Sequence, residues 1–260
     1  MKTIDAHQTE IFHGVHRAVN GTRAVFSSMM RQPGTNIGLN QHGLAVTMSY
    51  SDYRAQDAHD KKEIPRLEND SRALANAEIL ANCATVDEGL RALEVFVPRH
   101  PHQVGGNHLV IDADGGIALL EQCAGKYQYN TFTNRGYCGR GNNSHWLIKD
   151  KQSNSIVPVD SLPREEAMEN FLKDVYENIP KGMSVEEIVN NAKLLLSRHA
   201  ERTDQTGAIC AHGLTQPGAR LFGDNPCYTL TAVIIDIKDR IMHFSLGSPC
   251  AGNWKTLKLE

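Results

Sequence analysis

Apolar residues along this chain recur at two spacings, and each spacing predicts a different element. Runs of alternating or β-branched apolar residues favour strands, and they occupy residues 22–30, 36–50, 107–121, 127–133, 228–236 and 240–246. A further edge strand is predicted at 254–259. Within 36–50 and 107–121, a polar Asn/Asp/Gly turn separates two apolar arms, a pattern typical of tight antiparallel hairpins.

Apolar residues at helical spacing predict four helices, at residues 70–84, 87–97, 161–177 and 184–200. Asp70 is the predicted N-terminal cap of the first helix. Thr85 to Glu88 and Ser184 to Glu187 both match the capping box that opens a helix. Pro98 is predicted to end the second helix.

Strands and helices fall into separate groups, which favours antiparallel sheets with segregated helices over βαβ units. We therefore predict an α+β fold. No repeat, low-complexity tract or linker divides the chain, so residues 1–260 are interpreted as one domain. The charged residues 51–68 are interpreted as a loop or a lid.

Composition excludes some classes of partner. The net charge of -3 and the pI near 6.5 give no basic footprint for nucleic acid or an anionic membrane. The first residues lack the apolar core of a signal peptide, and no apolar run is long enough to span a bilayer. These features predict a cytoplasmic protein, and they leave homo-oligomerisation open.

The cysteines predict neither a disulfide framework nor a metal site. Six of them are scattered without a CxxC pair, a distribution expected of reduced thiols rather than zinc ligands. Cys210, Cys227 and Cys250 are interpreted as small buried hydrophobic residues. His100, His102 and His108 are interpreted as solvated loop residues. No cofactor and no metal is predicted.

Several motifs in one order carry a resemblance to a known family. They read IGLNQHGLAV, NCATVDEGLRAL, NHLVIDADGGIALLE, TNRGY, DSLPREEAMENFL, ICAHG and TLTAVIIDIKDRIMHFSLGSPC. Together they resemble the N-terminal-nucleophile (Ntn) hydrolases, and among these the acyl-coenzyme A:6-aminopenicillanic acid acyltransferase (isopenicillin N acyltransferase-like) family. The resemblance implies a four-layer α/β/β/α sandwich, a small-molecule substrate and chemistry on an amide or acyl group.

The same resemblance raises the question of which residue could serve as the nucleophile. In that family a cleavage exposes a cysteine whose α-amine acts as its own general base, so nucleophile and base share one residue. Here the first cysteine is Cys83, on a predicted helix. Thr3 would become a nucleophile only after removal of two residues. The expectation is that the standard nucleophile is absent from this chain.

Candidate site residues come from the resemblance at three positions. Asn134 matches the family's Thr-Asn motif, which implies a role in substrate positioning or oxyanion stabilisation. Arg164 matches a Ser-x-x-Arg motif near the pocket, and Tyr50 is a looser match at the end of the first hairpin. A pocket bordered by Asn134 and Arg164, with Tyr50 nearby, is therefore predicted.

One further candidate comes from the residues themselves. Cys138 lies between Arg135 and Arg140, and flanking cations lower a thiol's pKa, so it is the best substitute nucleophile. Arg135 stands where the family has histidine, and its guanidinium would suit a carboxylate-bearing ligand.

Three functions remain open. The first is an Ntn amide hydrolase or acyltransferase whose nucleophile is missing from this chain. The second is an enzyme on the same fold that uses Asn134, Arg164 and Tyr50 or a histidine for non-covalent acid–base catalysis. The third is a non-catalytic binding or partner subunit, a pseudoenzyme that keeps the fold as a scaffold.

Overall fold

The computed structural model describes residues 1–6, 9–50, 70–101, 105–123, 125–142, 144–147, 161–200, 207–214 and 226–260. The predicted loop or lid at 51–68 lies outside these ranges, as does His102. All structural statements below concern the described residues.

Seven strands form one antiparallel sheet in which each strand pairs with the next along the chain. They are β2 (Ile11–Arg17), β3 (Arg23–Met29), β4 (Ile37–Asn40), β5 (Ala45–Tyr50), β6 (Gly106–Ile111), β7 (Ile117–Cys123) and β8 (Lys126–Thr131). The predicted hairpins correspond to β4–β5 and β6–β7. In the second hairpin the carboxylate of Asp112 accepts hydrogen bonds from the backbone N–H groups of Asp114 and Gly116, at 3.1 and 2.7 Å, which fixes the turn.

A second antiparallel sheet joins the first strand of the chain to the last ones. Its strands are β1 (Lys2–Ala6), β9 (His212–Leu214), β10 (Cys227–Asp236), β11 (Ile241–Ser245) and β12 (Trp254–Lys258). Both β1 and β9 pair with β10, and β11 lies between β10 and β12. The strands β1, β2 and β9 had no counterpart in the sequence-based prediction.

Four helices occupy the predicted segments. They are α1 (Arg72–Asn82), α2 (Val86–Phe96), α3 (Ser161–Asn178) and α4 (Val185–Leu196). Both predicted capping boxes, at Thr85 and Ser184, are present. The cap of α1 is Ser71 rather than Asp70; Asp70 instead forms a buried ion pair with Arg72 and accepts that residue's backbone N–H.

Three apolar clusters define the layers. One fills the space between the sheets and contains Leu39 and Val25 from the first sheet and Met242 from the second. Another packs α1 and α2 on the outer face of the first sheet, and a third packs α3 and α4 on the outer face of the second sheet. The order is α/β/β/α, the sandwich that the resemblance implied. No helix among the described residues is long and apolar enough to cross a membrane.

Candidate active site

A cavity of about 310 Å³ opens between the two sheets at the N-terminal end of β1. Its walls come from the start of β1, from β5, β6 and β7, from the loop at 136–142 and from α3. The volume is at the lower end of the range of small-molecule sites. Four charged side chains line it among the described residues, namely Lys2, Arg140, Arg164 and Glu165.

Lys2 brings an amine into this cavity. It is the first residue of β1, which the register with β10 fixes by pairing Lys2 with Val233. Burial lowers the pKa of the Lys2 ammonium to about 8; Asp5 opposes this shift, and the nearby cations Arg164 and Arg72 reinforce it. A much larger share of this amine is therefore neutral near physiological pH than of an ordinary lysine.

Arg164 is held at the cavity wall by a carboxylate from β1. Its Nη1 lies 3.1 Å from Oδ2 of Asp5. The other oxygen of Asp5 accepts a hydrogen bond of 2.7 Å from the hydroxyl of Thr229 on β10. That hydroxyl in turn accepts the backbone N–H of Ala211 at 2.8 Å. The guanidinium is thus positioned by a chain of hydrogen bonds that runs across the second sheet.

Glu165, the next residue on α3, holds the loop that contains Gly141 and His145 against the cavity. Its carboxylate accepts hydrogen bonds from Gly141 N at 2.9 Å and His145 Nε2 at 3.0 Å, and Arg140 lies 3.5 Å away. Burial alone would raise the pKa of Glu165, but the hydrogen bonds from His145 and Gly141 and the charge of Arg140 lower it. Glu165 is therefore an ionised anchor rather than a proton donor at neutral pH.

Glu121, on β7, also holds the loop that follows Gly141 in place through its carboxylate. This fully buried carboxylate ends the second predicted hairpin motif and accepts hydrogen bonds from Ser144 Oγ and the backbone N–H of His145, both at 2.6 Å, and of Trp146 at 2.9 Å. Arg140 stacks on the Trp146 ring at 5.0 Å. The position of Arg140 is consequently fixed from several sides.

Two residues of the cavity lining carry polar atoms that have no hydrogen-bond partner among the described residues. These atoms are Thr47 Oγ1 and Arg140 Nε, and both are buried. Buried polar atoms without partners are uncommon in proteins and call for an explanation. A bound ligand that offers acceptor oxygens would satisfy both.

A sequence model of the family described as acyl-coenzyme A:6-aminopenicillanic acid acyl-transferase matches residues 16–250, most of the chain. The chain belongs to this family. No curated protein sequence gives a significant match. The family is thus identified from the sequence as a whole, which confirms the resemblance drawn from the separate motifs.

Solved structures of Ntn-type enzymes share the fold of this acyltransferase family member. Penicillin V acylase from Agrobacterium tumefaciens is 19% identical, with a TM-score of 0.53 over 94% of this chain and 78% of that one. A mutant of conjugated bile acid hydrolase from Clostridium perfringens is 14% identical, with a TM-score of 0.50 over 99% of this chain and 92% of that one. At such identities the likeness establishes the fold.

The predicted site residues do not all meet at the cavity of this family member. Arg164 and Cys138 line it, whereas Asn134 and Tyr50 do not. Asn134 is exposed in the turn after β8. Tyr50 lies on the opposite face of β5 from the cavity, under the guanidinium of Arg72 at 5.4 Å, and the neighbouring Ser49 faces the cavity instead. Among the described residues, Asn134 therefore does not share the cavity that Arg164 lines.

The structure contradicts the expected pKa of Cys138 and the expected ligand-binding role of Arg135. Burial raises the pKa of the Cys138 thiol to about 11, and this outweighs the lowering by Arg140 that the sequence suggested. Cys138 packs against Ile117 and Leu119 instead of presenting a thiolate. Arg135 points away to α3, where its Nη2 lies 2.5 Å from Oε2 of Glu169, so it is not available to a ligand in the cavity.

One histidine and one cysteine also differ from expectation, whereas Cys210 and Cys227 are buried as predicted. His108 is fully buried rather than solvated and contacts Asn76 Oδ1 at 2.9 Å, and burial lowers its pKa to about 3. Cys250 is exposed rather than buried. Among the described residues, the cavity lining holds no group of potential metal ligands; the one such group is His199, Cys210, His212 and Cys250, beside the cavity wall.

Sequence reasoning missed Lys2, Thr47 and Glu165. A lysine at the start of a chain ordinarily predicts a solvated terminus, and only the pairing of β1 with β10 shows that it enters a cavity. Thr47 could have been found from the alternation of β5, because residues two apart on a strand lie on the same face. Glu165 follows Arg164 in the family motif, yet its contacts come from a loop about 20 residues earlier.

Proposed function

We propose that this chain acts on a small amide or acyl compound bound in the cavity, with Lys2 as general base and without a covalent acyl-enzyme. The family supports the class of chemistry, because its named reaction transfers an acyl group onto an amine. The observation that carries the mechanism is the Lys2 amine, which lines the cavity with its pKa lowered to about 8.

A general base must be partly unprotonated at the working pH. With a pKa near 8, about one tenth of the Lys2 amine is neutral at pH 7, against well under one in a thousand for a solvated lysine. The neutral amine would remove a proton from the attacking water or amine as the new bond to the acyl carbon forms. The resulting Lys2 ammonium would give that proton to the leaving group as the original acyl bond breaks, which returns Lys2 to its neutral form. If Lys2 attacked the acyl carbon itself, the product would be a new amide as stable as the substrate.

Thiol chemistry is a poorer explanation of the same cavity. Cys138 is the one cysteine among the described lining residues, and its raised pKa leaves about one thiolate in ten thousand at pH 7. Its thiol donates to the backbone carbonyl of Gly139 at 3.8 Å, and a carbonyl cannot act as the base that would activate it.

The substrate class follows from the unsatisfied donors. Arg140 Nε can only donate, so its partner on the substrate must be an acceptor such as an amide carbonyl or a carboxylate, and the hydroxyl of Thr47 can donate to the same group. Arg164 adds a cation at the same wall. We therefore propose a carboxylate-bearing amide, the class to which N-acyl amino acids and penicillin V belong.

The experiment is an amine-release assay on the full chain, with N-acyl amino acids and penicillin V as substrates. We expect kcat/KM to rise with pH to a plateau above an apparent pKa of about 8, and Lys2→Met and Lys2→Arg to lose activity by at least 100-fold. The matched control is Lys258→Met, an exposed lysine on β12, which should keep wild-type activity.

Intact-mass spectrometry after incubation with an activated acyl donor separates this mechanism from a covalent one and also reports the first residue of the mature chain. No acyl adduct on a cysteine or on the N-terminal residue is expected during turnover. Detection of such an adduct, or wild-type activity in Lys2→Met, would overturn the proposal. Binding of the N-acyl amino acids without any turnover would favour the non-catalytic alternative.

A further inference from the structure

Four side chains capable of binding a metal converge beside the cavity wall, from three separate parts of the chain. His199 follows α4, Cys210 and His212 flank the start of β9, and Cys250 lies in a short 3₁₀ helix after β11. Their ligand atoms all lie within 4.8 Å of one another. Only Cys210 and His212 are close in sequence, and the chain does not show the paired spacing of a zinc-binding motif, which explains why the sequence predicted no metal site.

The distances within this cluster approach those of a tetrahedral metal site. Nε2 of His212 lies 3.5 Å from Sγ of Cys210 and 3.2 Å from Sγ of Cys250. Zinc bonds of about 2.3 Å to sulfur and about 2.0–2.1 Å to nitrogen place ligand atoms about 3.3–3.8 Å apart in a tetrahedron. The rings of His199 and His212 meet edge to face, with centroids 5.0 Å apart, and a nitrogen of each ring lies within 4.8 Å of both thiol sulfurs.

Backbone contacts hold these ligands in place independently of their side chains. Ile209 N and Cys210 N both donate to the carbonyl of Arg198, at 3.1 and 2.9 Å, which fixes Cys210 next to His199. Ser248 Oγ donates to the carbonyl of Thr229 at 2.8 Å and so anchors the segment that carries Cys250. Fixed backbone of this kind limits the entropy that would be lost on binding a metal.

We propose that His199, Cys210, His212 and Cys250 form a structural Zn²⁺ site. Two thiolates and two imidazoles are the donor set that zinc prefers in structural sites, and they neutralise its charge without a carboxylate. With four protein ligands no position remains for water or substrate, so the ion stabilises the fold and does not catalyse a reaction. Three of the four residues are exposed, which gives the metal an entry path.

The site would fix one wall of the cavity. Ile209 lines the cavity, and Ala211, between the two ligands Cys210 and His212, donates its N–H to Thr229. Thr229 in turn holds Asp5, the partner of Arg164. Zinc binding and cavity geometry are therefore connected, although the zinc proposal stands independently of the reaction proposed above.

The test is metal analysis of the full chain, purified without chelator or a metal-affinity tag and dialysed exhaustively. We expect about one zinc per wild-type chain, and less than about one fifth of that in Cys250→Ala and His199→Ala. Both substituted residues are exposed, so these variants should fold. The matched control is Cys83→Ala, a buried cysteine beside α1, which should keep its zinc.

Cobalt replacement gives a second measurement of the ligand set. Wild-type protein loaded with Co²⁺ should show the visible bands of a tetrahedral ion and a near-ultraviolet thiolate band, and Cys250→Ala should lose the thiolate band in part. A chelator should lower the Tm of the wild type by roughly 5–10 °C and leave that of Cys250→Ala unchanged.

Three results would overturn the proposal. The first is a wild-type chain that holds no stoichiometric zinc even after reconstitution. The second is a Cys250→Ala or His199→Ala variant that keeps its zinc. The third is a disulfide between Cys210 and Cys250 in protein purified under reducing, zinc-replete conditions, which peptide mapping without reduction would detect.

Discussion

Replacing Lys2 by methionine should make the protein more stable at neutral pH. Burial, with Arg164 and Arg72 adding to it and Asp5 opposing it, lowers the pKa of Lys2 from 10.5 to about 8. The folded protein therefore binds this proton less tightly than the unfolded chain does. The difference corresponds to about 3 kcal/mol of lost stability at pH 7. Methionine keeps a flexible unbranched side chain of similar length and removes the charge.

The stability advantage of Lys2→Met over the wild type should decrease as the pH rises. Below pH 8 the ammonium is present in both states and the full penalty applies. Between pH 8 and 10.5 the folded protein releases the proton while the unfolded chain retains it, so wild-type stability rises with pH relative to the variant. The advantage of Lys2→Met should accordingly fall to about 1 kcal/mol at about pH 10 and vanish at higher pH.

Urea unfolding at pH 7 and pH 10 measures both values. The control Lys258→Met alters an exposed lysine and should change stability by less than about 0.5 kcal/mol at either pH. If Lys2→Met is no more stable than wild type at pH 7, or if its advantage is equal at both pH values, Lys2 is not a desolvated amine and its role as base fails. A gain in stability with a loss of activity is the combination expected of a functional residue.

Two further predictions concern the other candidate residues. Arg164→Ala should reduce kcat/KM by an amount equivalent to about 1.5–3 kcal/mol, whereas Asn134→Ala, exposed outside the cavity, should change it less than about twofold; equal losses in steady-state assays would restore the role that the resemblance gave Asn134. Cys138 should resist iodoacetamide at pH 7.5 in the folded protein and react after unfolding in urea, because its buried thiol remains protonated; peptide mapping that finds rapid alkylation of native Cys138 would contradict its raised pKa.

The layers of the fold were predictable because the hydrophobic pattern records them. In β6–β7 the apolar arms and the Asp112 turn determine both the strands and their reversal, and the capping boxes at Thr85 and Ser184 mark helix starts with local hydrogen bonds. By contrast, β1 and β2 were missed. The burial of β1 depends on β10, more than 200 residues later, and β2 is a largely exposed strand that contains two histidines, a glycine and an arginine.

The site was less predictable because its chemistry depends on distant contacts. Cys138 illustrates this, since the two neighbouring arginines predict a lowered pKa while packing against Ile117 and Leu119 raises it. Arg135 was assigned to a ligand from its place in the motif, but Glu169 on α3 binds it first. Neighbours in sequence indicate which charges are available, and only the packing determines which of them a ligand can reach.

The segment ICAHG at 209–213 acts on the cavity through its backbone. The side chain of Ala211 offers neither a charge nor a hydrogen bond, but its backbone N–H holds Thr229 and through it Asp5 and Arg164. The flanking Cys210 and His212 belong to the proposed zinc site. The segment therefore shapes the cavity wall without supplying a charge to it. The cations that line the cavity come from Arg164 on α3, from Arg140 and from Lys2 on β1. Of these, Lys2 has a pKa lowered to about 8, low enough for a base near neutral pH, which is why we place the chemistry of this chain on Lys2.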